Sequence, residues 1–457
     1  MKLAKLAFFI QKHRILFLLV ALLLFYLYPI WDKNILFSDE LIIEDIAYTM
    51  AHNHNYIIPL LNGVPHLVKP PLLYWLISPL YVFFSPVPWV VRLWMPILAV
   101  LLLLTTYKLA KLWYGEIIAF WSLLFLGLST PLIFFTKAAN FDLLNSLLVT
   151  STIYFYNRAK KDNKYLILAS ISLGLGILNR SFLALAPLPI IAIDNLLSQQ
   201  KIPKAWLIIS FVFALCIALP WHLLAYREAP YKLIYDYFFV PRIHVFEIFP
   251  GDEPTSPVSS LITLFWWFPP TFFLFLYPFW HTLKRNPSAA RQLIIWLSLL
   301  LLLILSRSPE VWYFLMFYPA IAICAGCILT HAFKKVRPQS IAHQLLIYLV
   351  LVVLIEPPLN LVFIGREQIA NITAANLMTS ISKSNETLYL WHYNMVPVTR
   401  FFPKRPVYVL SEKTLKQALS KRRIKFLLIR KSDFQKISEI PKHTILFQKD
   451  PYLLLRF

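Results

Sequence analysis

Residues 37–76 read FSDELIIEDIAYTMAHNHNYIIPLLNGVPHLVKPPLLYWL and form the longest polar-marked interruption between hydrophobic segments in the first half of the chain. The stretch holds four carboxylates, three histidines and one lysine. Asp39 and Glu40 come a few residues after an apolar run that ends at Trp31, and Lys69-Pro70-Pro71 immediately precedes the next run, so both motifs belong at one membrane face. Between them Ile42, Ile43, Ile46, Ala47 and Met50 recur at helical spacing, with Glu44, Asp45, Tyr48 and Thr49 on the other side. This predicts an amphipathic helix lying along the interface. Asn62-Gly63 supplies a turn, and Pro70-Pro71 forces Lys69 onto extended backbone just before a helix starts. A helix N-terminus and an ammonium together attract an anion. Asp39 and Glu40 also have a plainer use, because Ser38 can cap a helix and acids favour its first turn.

The rest of the chain says that this loop sits in a membrane protein. Of 457 residues, 59% are hydrophobic and only 14% charged, with a mean hydropathy of +0.63. A soluble domain of this size is not so apolar. The net charge of +22, from 44 basic and 22 acidic residues, fits cytoplasmic loops and anionic lipid before nucleic acid. Cys216, Cys324 and Cys327 all lie inside apolar runs, which points to packing rather than to redox or zinc chemistry.

A basic leader, MKLAKLAFFIQKHR, precedes an apolar run from Ile15 to about Trp31, read as an uncleaved first span with its N-terminus in the cytoplasm. Further apolar runs fall near residues 72–88, 89–110, 117–135, 141–157, 165–178, 182–197, 206–224, 259–281, 292–306, 310–333 and 343–364. Basic clusters around Lys108, Arg158 to Lys164, Lys201, Lys284 and Lys334 mark cytoplasmic loops, so the alternate turns face outward with the 37–76 stretch. On this pattern residues 72–110 cross an odd number of times although they read as two segments. Pro79, Pro86 and Pro88 make a broken helix the natural solution, and the expected total is 11–13 transmembrane helices.

The order of acidic pair, amphipathic helix, PLLNGVP and KPPLLYWL resembles the first extracytoplasmic loop, here 32–71, of the aminoarabinose lipid A transferase and protein O-mannosyltransferase superfamily. The resemblance implies a mainly α, polytopic GT-C fold over residues 1–364, a small extracytoplasmic α/β domain over 365–457, and transfer of a sugar from a polyprenyl-phosphate carrier to a lipid A-like or protein acceptor at the outer face of a bacterial inner membrane. It assigns Asp39 to the catalytic acid position, with Glu40 beside it, and Lys69 to the carrier phosphate. Family members often carry Arg-Tyr after the acidic pair and an acid before the lysine. This chain has Leu41-Ile42-Ile43 and Val68 instead.

Four further outward places carry possible chemistry. In TKAANFDLLNSLL, Asp142 enters an otherwise apolar helix, as an N-cap contact or as a functional carboxylate; the resemblance implies a second catalytic acid there. Arg180, in LNRS, either meets phosphate or snorkels to head groups. Arg242, in VPRIHVFE, and the pair Arg307 and Tyr313, in SRSPEVWYF, are carrier-phosphate contacts by resemblance, with a solvated turn and an interfacial aromatic as the plainer alternatives. No metal ligands are assigned. His52 and His54 point apart on a helix and close no ligand set with His66, so a divalent metal is possible but unsupported, and no cofactor is expected.

After Gly365 the runs TLYLWH, PVYVL, KFLLIR, TILFQK and YLLLRF are strand-like, and SEKTLKQALSKR is helical. This segment has 17 Lys and Arg against 6 Asp and Glu, a balance that attracts anionic lipid or simply keeps a surface soluble. With eight glycines and no phosphate loop, a nucleotide-sugar enzyme is disfavoured. The rival reading is a transporter or flippase of a lipid-linked or amphiphilic solute, which calls for charges near span centres and repeated broken helices. Here the ionisable residues gather at span ends on one side. Ser38→Cys and Ser411→Cys, probed with an impermeant thiol reagent in intact cells, are expected both to react; protection of position 411 alone would overturn the sidedness.

Overall fold

The computed structural model describes residues 13–31, 38–61, 64–84, 88–239, 286–304, 311–336, 388–390, 407–409, 424–430, 434, 443–449 and 452–456. Helix α1 (Arg14–Leu27) runs into a 3-10 turn, Tyr28–Trp31, and buries Leu19, Leu22 and Tyr26. The Tyr26 hydroxyl donates to the Gly127 carbonyl. Helix α2 (Ser38–Asn53) follows where the 3.6-residue pattern requires it, with Ile43, Ile46, Ala47 and Met50 in the core. It does not lie along an interface with a solvated polar side: Glu44 and Asp45 are each 1% exposed. The chain folds back over that side as α3 (Leu72–Ile77), α4 (Leu80–Phe83) and α5 (Pro88–Arg92), all of which pack on α2.

Between α2 and α3, β1 (Leu60–Leu61) and β2 (Val64–Pro65) pair antiparallel on either side of positions 62 and 63, where Asn-Gly calls for a turn. The Trp75 and Trp221 indoles donate to the Tyr56 and Ile57 carbonyls at 2.8 and 2.7 Å and hold this loop against the helices. The break at Ser78-Pro79 separates α3 from α4. Only afterwards does a helix of spanning length appear, Trp89–Tyr114, comprising the end of α5 and α6 (Trp94–Tyr114). A short broken helix followed by one helix of spanning length is the arrangement that the prolines suggest for residues 72–110.

Helices α7 (Glu116–Gly127) and α8 (Thr130–Thr136) form one apolar run bent by 58°. Helix α9 (Phe141–Ala159) is the centre of the bundle. It packs on α6, on α10 (Tyr165–Arg180), on the 3-10 turn Ser181–Leu185, on α11 (Pro187–Leu197) and on a second 3-10 turn, Val311–Phe317. Every residue from Phe141 to Ile153 is buried, polar ones included. Thr150 and Thr152 satisfy their hydroxyls on carbonyls four residues back, and Ser146 donates to Leu315 across the helix interface at 3.0 Å. Helix α12 (Lys204–Glu228) lies against α10 and turns most of its other residues outward as an apolar surface suited to lipid. A short helix, α13 (Pro230–Ile234), and a π-turn, Tyr235–Phe239, close this half.

Helix α14 (Pro287–Ile304) is clamped to α9 and α11 at one end by a buried polar knot. Asp194 accepts from Lys160 Nζ (2.5 Å), Arg291 Nη2 (2.7 Å), Ser288 Oγ (2.8 Å) and Gln292 Nε2 (3.0 Å). Helix α15 (Tyr318–Val336) crosses α7 at close range, and Gly326 is the contact point. A Cβ there would lie 2.6 Å from the Ile118 carbonyl oxygen and 2.9 Å from the Ser122 nitrogen.

The five strand-like runs near the C-terminus are strands: β3 (Leu388–Leu390), β4 (Val407–Val409), β5 (Phe426–Arg430), β6 (Thr444–Lys449) and β7 (Tyr452–Arg456). They form one mixed sheet in the order β4-β3-β5-β7-β6, parallel across β4-β3-β5 and antiparallel across β5-β7-β6. Parallel neighbours need crossover connections. The expected helix at 411–422 and the apolar runs near 259–281 and 343–364 lie outside the described residues.

Gly326→Ala should lower the melting temperature of the detergent-solubilised protein, with a cost of about 1–3 kcal/mol for forcing the α7 and α15 backbones apart. An unchanged melt would show that the crossing is looser than its geometry.

Candidate functional site

Glu40 fixes the frame. It is 1% exposed and pairs with the fully buried Arg92 through two bonds, Nε to Oε1 at 2.6 Å and Nη2 to Oε2 at 2.8 Å. Its Oε1 also accepts the Ala139 N–H at 3.2 Å, while Arg92 reaches the Ile30 carbonyl at 3.5 Å. The first turn of α2 is thereby tied to the end of α1, to α5 and to the turn that precedes α9. That turn is ordered by Asn140, whose side chain caps α9 by accepting the Leu143 N–H at 2.8 Å. Asp142 is therefore not the cap. It forms a two-oxygen ion pair with Arg180, Nε to Oδ1 at 3.0 Å and Nη2 to Oδ2 at 2.7 Å, both side chains being buried. The Arg180 guanidinium lies 4.9 Å from the centre of the Tyr313 ring. Asp142, Arg180 and Tyr313, distant in sequence, thus form one unit.

Asp39 and Lys69 lie within electrostatic range of one side chain, His66. Both are half-buried. Their charges, with those of Asp236 and Lys232, act on the imidazole of His66. Burial, the dominant cause, pushes the His66 pKa down to about 4, so the ring is neutral at physiological pH. Asp39 also acts on Tyr74, a buried tyrosine whose ring packs edge-on against Phe141 at 5.2 Å, next to Asp142. Tyr74 thus links the Asp39 and Asp142 sides. Its hydroxyl and the Asn179 amide oxygen are buried without hydrogen-bond partners among the described residues.

Arg242 and Arg307 lie outside the described residues. Among the described residues no three His, Cys, Asp or Glu side chains come together at metal-ligand spacing. His52 stacks on Tyr48 at the helix end, and His54 is exposed at a φ of 53°.

Reading the chain alone passed over three contributors. Arg92 is an ionisable residue inside an apolar run, the signal that should have drawn attention to it. Asp236 and Lys232 carry no comparable signal, since their meaning depends on a contact with Leu67 across 169 residues. His66 was weighed only as a metal ligand.

A family profile described as dolichyl-phosphate-mannose-protein mannosyltransferase matches residues 68–223, which include Lys69, Asp142 and Arg180. Among solved structures, ArnT from Cupriavidus metallidurans bound to undecaprenyl phosphate superposes with a TM-score of 0.75 at 14% identity, covering 97% of this chain and 98% of that one. This is the GT-C fold. The archaeal oligosaccharyltransferase AglB from Archaeoglobus fulgidus is a more distant match, with a TM-score of 0.55 at 12% identity over 92% of this chain and 70% of that one. In sequence the chain is 28% identical over 265 residues to the undecaprenyl phosphate-alpha-4-amino-4-deoxy-L-arabinose arabinosyl transferase of Pseudomonas savastanoi pv. phaseolicola, covering 55% of this chain and 47% of that protein. The transferase of the same name from Yersinia enterocolitica is 30% identical over 228 residues, covering 47% of this chain and 40% of that protein. These matches span less than half of the relatives' own length. The chain resembles the superfamily that its first loop pointed to, and it is an integral membrane protein with that fold.

One property of the floor is directly measurable. Burial, reinforced by the adjacent Glu40 charge and opposed by Arg92, pushes the Glu44 carboxyl up to about 8 from its ordinary 4.5. The folded state therefore holds a proton that the unfolded chain gives up above about 4.5. Stability contributed by the neutral Glu44 is present in full below that value and is lost as pH rises towards 8. Glu44→Gln should flatten this fall and raise the melting temperature at pH 8 relative to the parent; parallel melting curves for the two proteins from pH 5 to 8 would contradict the shift.

Proposed function

We propose that this chain is a glycosyltransferase of the bacterial inner membrane that moves a sugar from a polyprenyl-phosphate carrier to a lipid A-like or protein acceptor, with residues 32–71 and 365–457 facing outward. Residues 1–364 form the transmembrane catalytic domain and 365–457 an extracytoplasmic α/β domain. The observation that carries the reading is that the charges of the half-buried Asp39 and Lys69 both act on His66, in a chain whose fold matches that of ArnT bound to undecaprenyl phosphate. The fold and the transferase relatives favour this over a transporter.

The chemistry follows from the donor. A sugar on a polyprenyl phosphate already has a good leaving group, so the protein must orient the acceptor and neutralise the phosphate oxygen as the bond to the sugar breaks. Lys69 supplies the positive charge. With a hydroxyl acceptor, Asp39 takes its proton as the acceptor oxygen attacks the anomeric carbon from the opposite face, which inverts that carbon and releases polyprenyl phosphate. With a phosphate acceptor, already ionised, Asp39 positions rather than deprotonates. Asp142 and Arg180, paired with each other and faced by Tyr313, form the deeper wall, with the arginine edge towards the carrier. Arg242 and Arg307 are assigned to the same carrier phosphate. Glu40 serves as the anchor that orients Asp39.

Lys69→Ala should raise the donor KM by about 10- to 100-fold, the worth of one charged hydrogen bond, without lowering the melting temperature. Asp39→Asn, which retains size and capping ability, should lose at least about a hundredfold in turnover with a hydroxyl acceptor. Both are read by transfer of labelled sugar from a polyprenyl-phosphate pool to envelope fractions. Normal donor KM in the first variant removes Lys69 from the phosphate; equal, mild losses with hydroxyl and phosphate acceptors in the second reject the base role.

A further inference from the structure

The segment that carries Lys69 has little regular structure. After the β2 pairing, the His66 N–H donates to the Pro59 carbonyl at 2.8 Å, and Pro70-Pro71 then contribute no N–H donors. The next amide, that of Leu67, donates to Asp236 Oδ2 at 2.8 Å. Asp236 is fully buried, although Tyr231 and Tyr235 on the same short segment are 89% and 49% exposed. The wider winding of the π-turn Tyr235–Phe239 sets it inward. A buried carboxylate is costly unless paired and hydrogen-bonded. Here Oδ1 takes Lys232 Nζ at 2.6 Å and Oδ2 takes the Leu67 amide, so the pair carries no net charge that would repel an incoming phosphate. Leu67 itself is fully buried with Ile58, Leu178, Trp221 and Leu233, which joins the loop to α10, α12 and α13.

We infer that Asp236 is a positioning residue for the transfer reaction: it pins the Leu67 amide and thereby holds Lys69, two residues on, against the carrier phosphate. The inference rests on the reading that Lys69 meets that phosphate. Full-length protein in detergent is titrated with undecaprenyl phosphate, and amide exchange of peptides containing Leu67 is followed in parallel. Asp236→Leu should weaken binding about tenfold or more and speed exchange at Leu67. Asp236→Asn, whose amide oxygen still accepts that N–H, should restore most of both. Combined with Lys69→Ala, Asp236→Leu should cost nothing further, because it acts through the lysine. Parent-like binding by a folded Asp236→Leu protein, or losses that multiply in the double variant, overturn the inference. If Lys69→Ala alone binds normally, the carrier reading fails, and the latch is then judged by exchange, where an unchanged Leu67 amide removes it. Asp236→Ser, too short to reach, replaces the leucine variant should that one not fold.

Discussion

The Glu40–Arg92 ion pair is the constraint on which the site depends. Two charges removed from water inside an apolar bundle are tolerated only with near-ideal geometry and with their remaining valences used. This pair meets both conditions: two short bonds between the side chains, one to the Ala139 amide and one to the Ile30 carbonyl. Each contact belongs to a different segment, and together they fix where α2 begins relative to α1, α5 and α9. Because Asp39 is the residue before Glu40, its position is set by an interaction in which it takes no part.

Helix α9 shows the same economy at both ends. Its first turn holds Asp142 against Arg180, and its last turns hold Asn157 and Lys160 in the knot around Asp194. Charged groups thus occupy the two ends of a helix whose middle is packed side chain to side chain. The two knots differ in what they leave available. Asp194 is saturated by five donor side chains, Tyr156, Lys160, Ser288, Arg291 and Gln292, and reads as a structural clamp. The Asp142–Arg180 pair faces an aromatic ring, while the Asn179 amide oxygen and Tyr74 hydroxyl lack partners among the described residues. Unsatisfied buried polar atoms are uncommon in native structures. Asn179 and Tyr74 both touch Phe141, in the first turn of α9 where the Asp142–Arg180 pair sits.

Much of this was legible in the chain because it depended on local rules. Apolar periodicity located α2, α6, α9, α10 and α12, the prolines located the break at residue 79, and β-patterning located all five C-terminal strands. Asp142, Arg180 and Tyr313 could be named as separate candidates, but not as one unit, because their contacts join residues far apart in sequence. The solvated polar side expected for α2 failed for a related reason. Periodicity shows that a helix has two unlike sides, whereas only the tertiary fold shows that α3 to α5 cover the second one. A buried Glu44 next to Glu40 is the outcome, and the residue escapes the cost of a second buried charge by holding its proton.

The distribution of charge among the carboxylates then points to Asp39. Glu40 is neutralised by Arg92 and Asp142 by Arg180 in buried pairs, the buried Asp236 by the partly exposed Lys232, and Glu44 keeps its proton at neutral pH. Among the described residues Asp39 has neither an ion-pair nor a hydrogen-bond partner, and it is half-exposed on the side where Lys69 and the neutral His66 lie. A base must be able to receive a proton without first breaking a salt bridge, and a group that already accepts two charged hydrogen bonds is a poor one. Adjacent residues on a helix point about 100° apart. Directing Glu40 inward to Arg92 therefore turns Asp39 to a different side, and in the proposed mechanism the frame that costs one carboxylate its chemistry is what orients the other.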